Sequence, residues 1–139
     1  MEKQRTIFDH RPEVAKQRAA DKDLTRCEQW ERFHKGNPEV FAECVRFARI
    51  ALERGWRNVG FALVWERMRW SRLETNSGSG FKLNNNFQGR FARIVMRQNP
   101  DLVGVFSLRR LHFDCEPSCR VCREYGFRED QRAILGVAI

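Results

Sequence analysis

Along most of this chain the apolar residues recur at helical rather than strand spacing. Leu24, Cys27, Trp30 and Phe33 follow one another at intervals of three, which puts them on one face of a short helix near residues 22–34. Ahead of it, residues 1–22 are mixed in charge and weakly periodic, with a break at His10-Arg11-Pro12, and read as an arm. Asn37-Pro38-Glu39 predicts a helix start, with an N-cap side chain, proline at the first helical position and an acid in the first turn. That helix carries Phe41, Cys44, Val45, Ala48 and Leu52 as its apolar stripe and stops at Gly55. A further helix is predicted from Gly60 to Trp70, burying Phe61, Leu63, Val64 and Met68. After a Ser/Gly-rich loop at residues 74–80, a third begins within Asn84-Asn85-Asn86 and ends before Asn99-Pro100. Its apolar face is Phe87, Phe91, Ile94 and Val95. Residues 103–109 (VGVFSLR) have the β-branched, alternating character of a strand.

Helix, helix, helix and strand is the order of a winged-helix type of helix-turn-helix domain. The expected fold is therefore mainly α: an arm and short helix (1–36), a winged-helix-like domain with a small β element (37–110), and a C-terminal zinc-knuckle tail (111–139). A plain three-helix bundle is the competing architecture. Composition narrows the class further. At 42% hydrophobic and 12% aromatic the chain is too apolar for disorder. No run approaches the roughly 20 apolar residues of a membrane helix, and the first residues lack an apolar signal core.

Charge then singles out one region. The net charge is +8, and residues 81–110 hold six basic residues against Asp101 alone. Arginine supplies most of it, and its fork suits phosphates and base edges. On a helical wheel Asn86, Arg90, Arg93 and Arg97 share one direction, away from the apolar face. The expected function is accordingly nucleic-acid binding, to duplex DNA. Asn85, Asn86, Arg90, Arg93 and Arg97 would meet bases or phosphates, and Lys82, Arg109 and Arg110 would hold the backbone. RNA is a further option if Trp56, Trp65 or Trp70 is exposed for stacking, with Trp56 beside Arg57 the first to examine.

Phe33-His34, Asn37-Pro38, the Phe81–Asn86 element (FKLNNN) and Phe91-Ala92-Arg93 resemble a family of small phage and prophage proteins of uncharacterised function, over residues 33–110. The resemblance implies a phage-associated setting, in the cytoplasm of a bacterial host cell, and brings no catalytic residues with it. In that setting the alternative function is a protein-interaction factor or inhibitor that docks on a host or defence complex through the same basic face.

The cysteine-rich segment lies outside that resemblance. His112, Cys115, Cys119 and Cys122 form His-x2-Cys-x3-Cys-x2-Cys, and such short steps let two thiolates reach one zinc ion. Four ligands would close the site, so its role would be structural. The fourth ligand is open: His112 is nearest, but Cys27, Cys44, His34 or His10 could be folded in. Free thiols and a redox or disulfide switch are the other readings of these cysteines. Enzyme signatures are missing. Gly78 and Gly80 lack the lysine of a phosphate loop, no Gly-x-Ser-x-Gly elbow occurs, and a zinc nuclease would have only His112, Asp114 and Glu116 nearby. The expected protein is not an enzyme.

Overall fold

The computed structural model describes residues 23–75 and 83–129. The N-terminal arm, most of the Ser/Gly loop and Lys82 lie outside the described residues. Helix α1 (Arg26–Gly36) begins with a reciprocal capping box. The Thr25 hydroxyl accepts from the Glu28 amide, and the Glu28 carboxylate accepts from the Thr25 amide. Asn37 was expected to cap the next helix, yet its side chain donates to the Phe33 carbonyl at 3.0 Å and so closes α1 instead. Helix α2 (Pro38–Glu53) needs less capping because Pro38 at its start has no N–H to satisfy.

The short strand β1 (Val59–Gly60) leads directly into α3 (Phe61–Thr75). An Asn84-capped 3-10 turn (Asn85–Phe87) then opens α4 (Gln88–Gln98). A second 3-10 turn (Pro100–Leu102), strand β2 (Phe106–Ser107) and α5 (Arg120–Tyr125) complete the order. Gly126, at φ 72°, is the left-handed stop of α5.

The β element corrects one expectation. The strand read at 103–109 is reduced to Phe106–Ser107, and it pairs in parallel with β1, Val59 opposite Phe106 and Gly60 opposite Ser107. A wing is an antiparallel hairpin, and the described residues contain none. After β2 the chain does not turn back; it runs on beside α4 towards the cysteines. The fold is thus mainly helical with a small parallel pair.

Helix α4 passes through the middle of the structure, with every residue from Arg90 to Met96 buried. One buried cluster joins Cys27, Trp30 and Phe33 of α1, Val40, Cys44 and Ala48 of α2, Trp65 and Met68 of α3, and Val121, Cys122 and Phe127 near α5. It therefore takes in residues on both sides of positions 36 and 110. Among the described residues no helix is long and apolar enough to cross a membrane.

Trp30 holds the tail onto this core. It is fully buried, with ring centroids 5.5 Å from Phe91, 4.8 Å from Tyr125 and 5.0 Å from Phe127. Trp30→Ala is expected to cost about 3–5 kcal/mol, by lost transfer energy and the cavity left behind. Trp70→Ala, on the exposed side of α3, should cost well under that. Urea midpoints of the two variants compare them directly.

A candidate metal centre and its arginine clamps

Four cysteines from three parts of the chain converge. Cys27 comes from the first turn of α1, Cys115 from the extended segment, Cys119 from the residue capping α5, and Cys122 from α5 itself. All four sulfur atoms lie within 4.8 Å of one another, with Sγ–Sγ distances of 3.3 Å (Cys27–Cys122), 3.6 Å (Cys115–Cys122) and 3.8 Å (Cys27–Cys115). None is in a disulfide. Four sulfurs at about 2.3 Å from a tetrahedral ion would be about 3.8 Å apart. The set is thus close to the size that a tetrahedral ion requires.

The structure brings Cys115, Cys119 and Cys122 together as their spacing predicted, and corrects the fourth position. His112 is exposed and stands outside the group; Cys27, eighty-eight residues before Cys115, takes that place. His112 contributes its backbone carbonyl instead, which accepts from Arg90 at 3.2 Å. His34 is half-buried and stacked on Trp30, and Cys44 lies in the core among α2 and α3. His10 lies outside the described residues.

Two guanidinium groups face the sulfurs. Arg90, 2 % exposed, donates to Cys27 Sγ at 3.4 Å, and Arg128 donates to Cys115 Sγ at 3.3 Å and to its carbonyl at 2.7 Å. Burial pushes the Cys27 and Cys122 thiols up. At Cys115 burial also acts upward, but the hydrogen bonds from Arg128 and the neighbouring thiols outweigh it and bring that thiol down. Buried thiols of this kind hold their protons until a metal displaces them. A divalent ion with four thiolates would carry a net charge of −2, and Arg90 and Arg128 are placed to offset it.

The basic face expected on the third helix is dismantled by the same packing. Arg93, 3 % exposed, donates to the Gly89 carbonyl at 3.0 Å and to the Arg109 carbonyl at 2.7 Å. Burial, with Arg90 nearby, lowers its pKa to about 10, so it stays charged at neutral pH. Arg90 and Arg93 are clamps that lay residues 109–112 along α4, where Leu111 packs over Gly89. They are not free for DNA. Arg97 is partly exposed and paired with Glu129 at 2.8 Å. Asn85 accepts from Arg69, while Asn86, Arg109 and Arg110 remain exposed. Asp114, weighed as a nuclease carboxylate, accepts from the Arg26 amide at 2.9 Å and thereby caps the start of α1.

Glu31 and Arg120 fasten α5 to α1 beside the thiols through a two-pronged pair at 2.6 and 3.1 Å. Arg120 holds the Glu31 carboxyl below its ordinary value of 4.5, against the opposing effect of burial. A lowered folded pKa means stability that is fully present above the unfolded value and lost as pH falls through the folded one. Glu31→Gln should therefore be less stable than wild type at pH 7, and the gap should narrow on acidification below about pH 4.5. Denaturation midpoints of both proteins from pH 7 to pH 3 give the comparison; a gap that holds constant would exclude the pair as its source.

Comparison with protein families, curated proteins and solved structures gives no match to this chain.

Proposed function

We propose that this protein is a non-enzymatic nucleic-acid-binding module whose C-terminal segment is fastened to the helical body by a structural zinc ion. The observation that carries the metal half is the four-sulfur set, Cys27, Cys115, Cys119 and Cys122. Four soft thiolates favour zinc over hard cations, and a filled tetrahedron leaves no position for a reacting water. The nucleic-acid half is supported by the net charge of +8, carried mostly by arginine. A winged helix reading duplex DNA through α4 is not the form of binding adopted here, because Arg90 and Arg93 are engaged inside the protein. The phage-associated role and the bacterial cytoplasm belong to this proposal as the setting that the resemblance implies.

The test is a titration of the zinc-loaded protein with labelled mixed-sequence nucleic acid, single-stranded and duplex, over a salt series. Binding that weakens steeply as salt rises is the expected result. Absence of binding to both forms at low salt sinks the nucleic-acid half.

One observation favours a second reading as a protein-interaction factor. Leu63 and Trp70, each 60 % exposed, lie two turns apart on α3 with Arg67 between them. A partner docking there would bind in a salt-tolerant way and be released by Leu63→Asp.

A further inference from the structure

The turn after α2 displays an aromatic side chain between two cations. Trp56 is 55 % exposed, and Arg54 and Arg57 on either side of it are exposed too. Among the described residues neither guanidinium has an ion-pair partner, and Trp56 stacks on no other ring. Arg46, two turns before Arg54 on α2, is exposed as well and lies over Phe47 at 4.5 Å. Glu53 is the exposed carboxylate beside this turn.

The backbone presenting Trp56 is fixed on both sides. Gly55, at φ 75°, lets the chain leave α2 in a left-handed cap. The Gly55 amide donates to Leu52 at 2.9 Å and the Trp56 amide to Ala51 at 2.9 Å, the paired bonds of a Schellman motif. Beyond Arg57, the Asn58 amide donates to Gly104 at 3.1 Å and Val59 to Val105 at 2.8 Å, anchoring the turn to the segment before β2. The turn that carries the indole is thus ordered before anything stacks on it, so binding costs no further backbone entropy there.

We propose that Trp56 is a base-stacking platform for single-stranded nucleic acid, with Arg54 and Arg57 receiving the phosphates on either side. The site deepens the nucleic-acid reading above and rests on it. Single strands are specified because an indole on a convex turn can reach the face of an unpaired base but not one stacked inside a duplex. Nucleic acid is preferred to an acidic protein because an exposed aromatic ring is added to exposed arginines at positions 54 and 57 and the chain as a whole is basic.

The experiment uses the full zinc-loaded chain and fluorescence anisotropy with a labelled oligo-dT, a labelled duplex of equal length and poly-glutamate as competitor. Trp56→Ala should weaken oligo-dT binding roughly 5- to 150-fold, the range for loss of one stacked base, and Trp56→Phe should recover most of it. Duplex binding should change far less. The double variant Arg54→Ala/Arg57→Ala should flatten the salt dependence of oligo-dT binding by about 1.4 in log–log slope. Wild-type binding of oligo-dT that Trp56→Ala leaves intact overturns the site while the nucleic-acid reading stands. Equal losses for oligo-dT and duplex overturn the stacking role, and so does poly-glutamate bound through Trp56 as tightly as oligo-dT. Wild type that binds no nucleic acid at all removes the broader reading and this site together. Trp56 is exposed, so its variants should melt and retain zinc as wild type does.

Discussion

Cys27→Ser is expected to abolish high-affinity zinc binding and to release the segment from Arg109 to Glu129, whereas His112→Ala should retain one zinc per chain. The contrast follows from geometry. Cys27 lies 3.3 Å from Cys122 and 3.8 Å from Cys115, sulfur to sulfur, while His112 offers the site only a carbonyl that Arg90 already occupies. Structural zinc contributes about 10–16 kcal/mol of apparent binding energy in small finger peptides at neutral pH, as much as the entire stability of many domains. Here part of the structure should survive, because Val40, Phe61, Trp65 and Phe106 belong to a buried core built by α2, α3, α4 and the strand pair, none of which supplies a sulfur to the set. From the sequence, chelation should loosen residues 111–127 and leave the helical part mostly intact. The structure extends that loss into α1, whose first turn supplies Cys27 and whose leading amide is held by Asp114.

Native mass spectrometry gives the stoichiometry, hydrogen exchange shows which segment opens, and cobalt substitution reports the ligand set through sulfur-to-metal charge transfer. Affinity should fall as pH falls, because the metal must displace protons from Cys27 and Cys122, both raised by burial. A reduced protein that takes up neither zinc nor cobalt would falsify the metal centre.

Arg90→Ala should be the most damaging arginine substitution in the helical body, at about 3–5 kcal/mol, with a matching loss of zinc retention. Its guanidinium is buried against Cys27 and the His112 carbonyl, with the rings of Phe127 and Phe113 at 5.7 and 5.8 Å. Removing it leaves thiolate charge without its counter-charge, a carbonyl without a donor and a void between two rings. Arg97→Ala, two turns along the same helix, removes a partly exposed pair with Glu129 and a guanidinium lying over Gly126, and should cost about 1 kcal/mol, well below Arg90→Ala. Equal urea midpoints for the two variants would mean that Arg90 is as dispensable as a surface arginine, and the clamp would fail.

Three arginines on α4 separate what periodicity encodes from what packing decides. Arg90, Arg93 and Arg97 do share a helical face, and that much is periodicity. Whether such a face meets water depends on what else the chain lays against it. Here residues 109–112 return along α4, so carbonyls of Arg109 and His112 receive the guanidinium groups that a solvent-facing helix would have offered to phosphates. The burial of α4 on nearly all sides was invisible for this reason.

The sequence by itself determined the local signals: the helical stripe through Cys27, Trp30 and Phe33, the Pro38 start, the Gly55 stop, the turn at Asn84–Asn86 and three closely spaced cysteines. These are decided within a few residues by φ preference, capping and periodicity. It also marked Trp56 as the tryptophan to examine, because a residue just past a helix stop is often left outside the core. Tertiary structure alone decided the rest. The choice of Cys27 over His112 joins residues 88 positions apart, and the parallel pairing of β1 with β2 joins segments separated by two helices. The first depends on packing α1, α4 and α5 around Trp30, the second on seating Phe61 against Phe106, and neither long-range closure is encoded by local propensity.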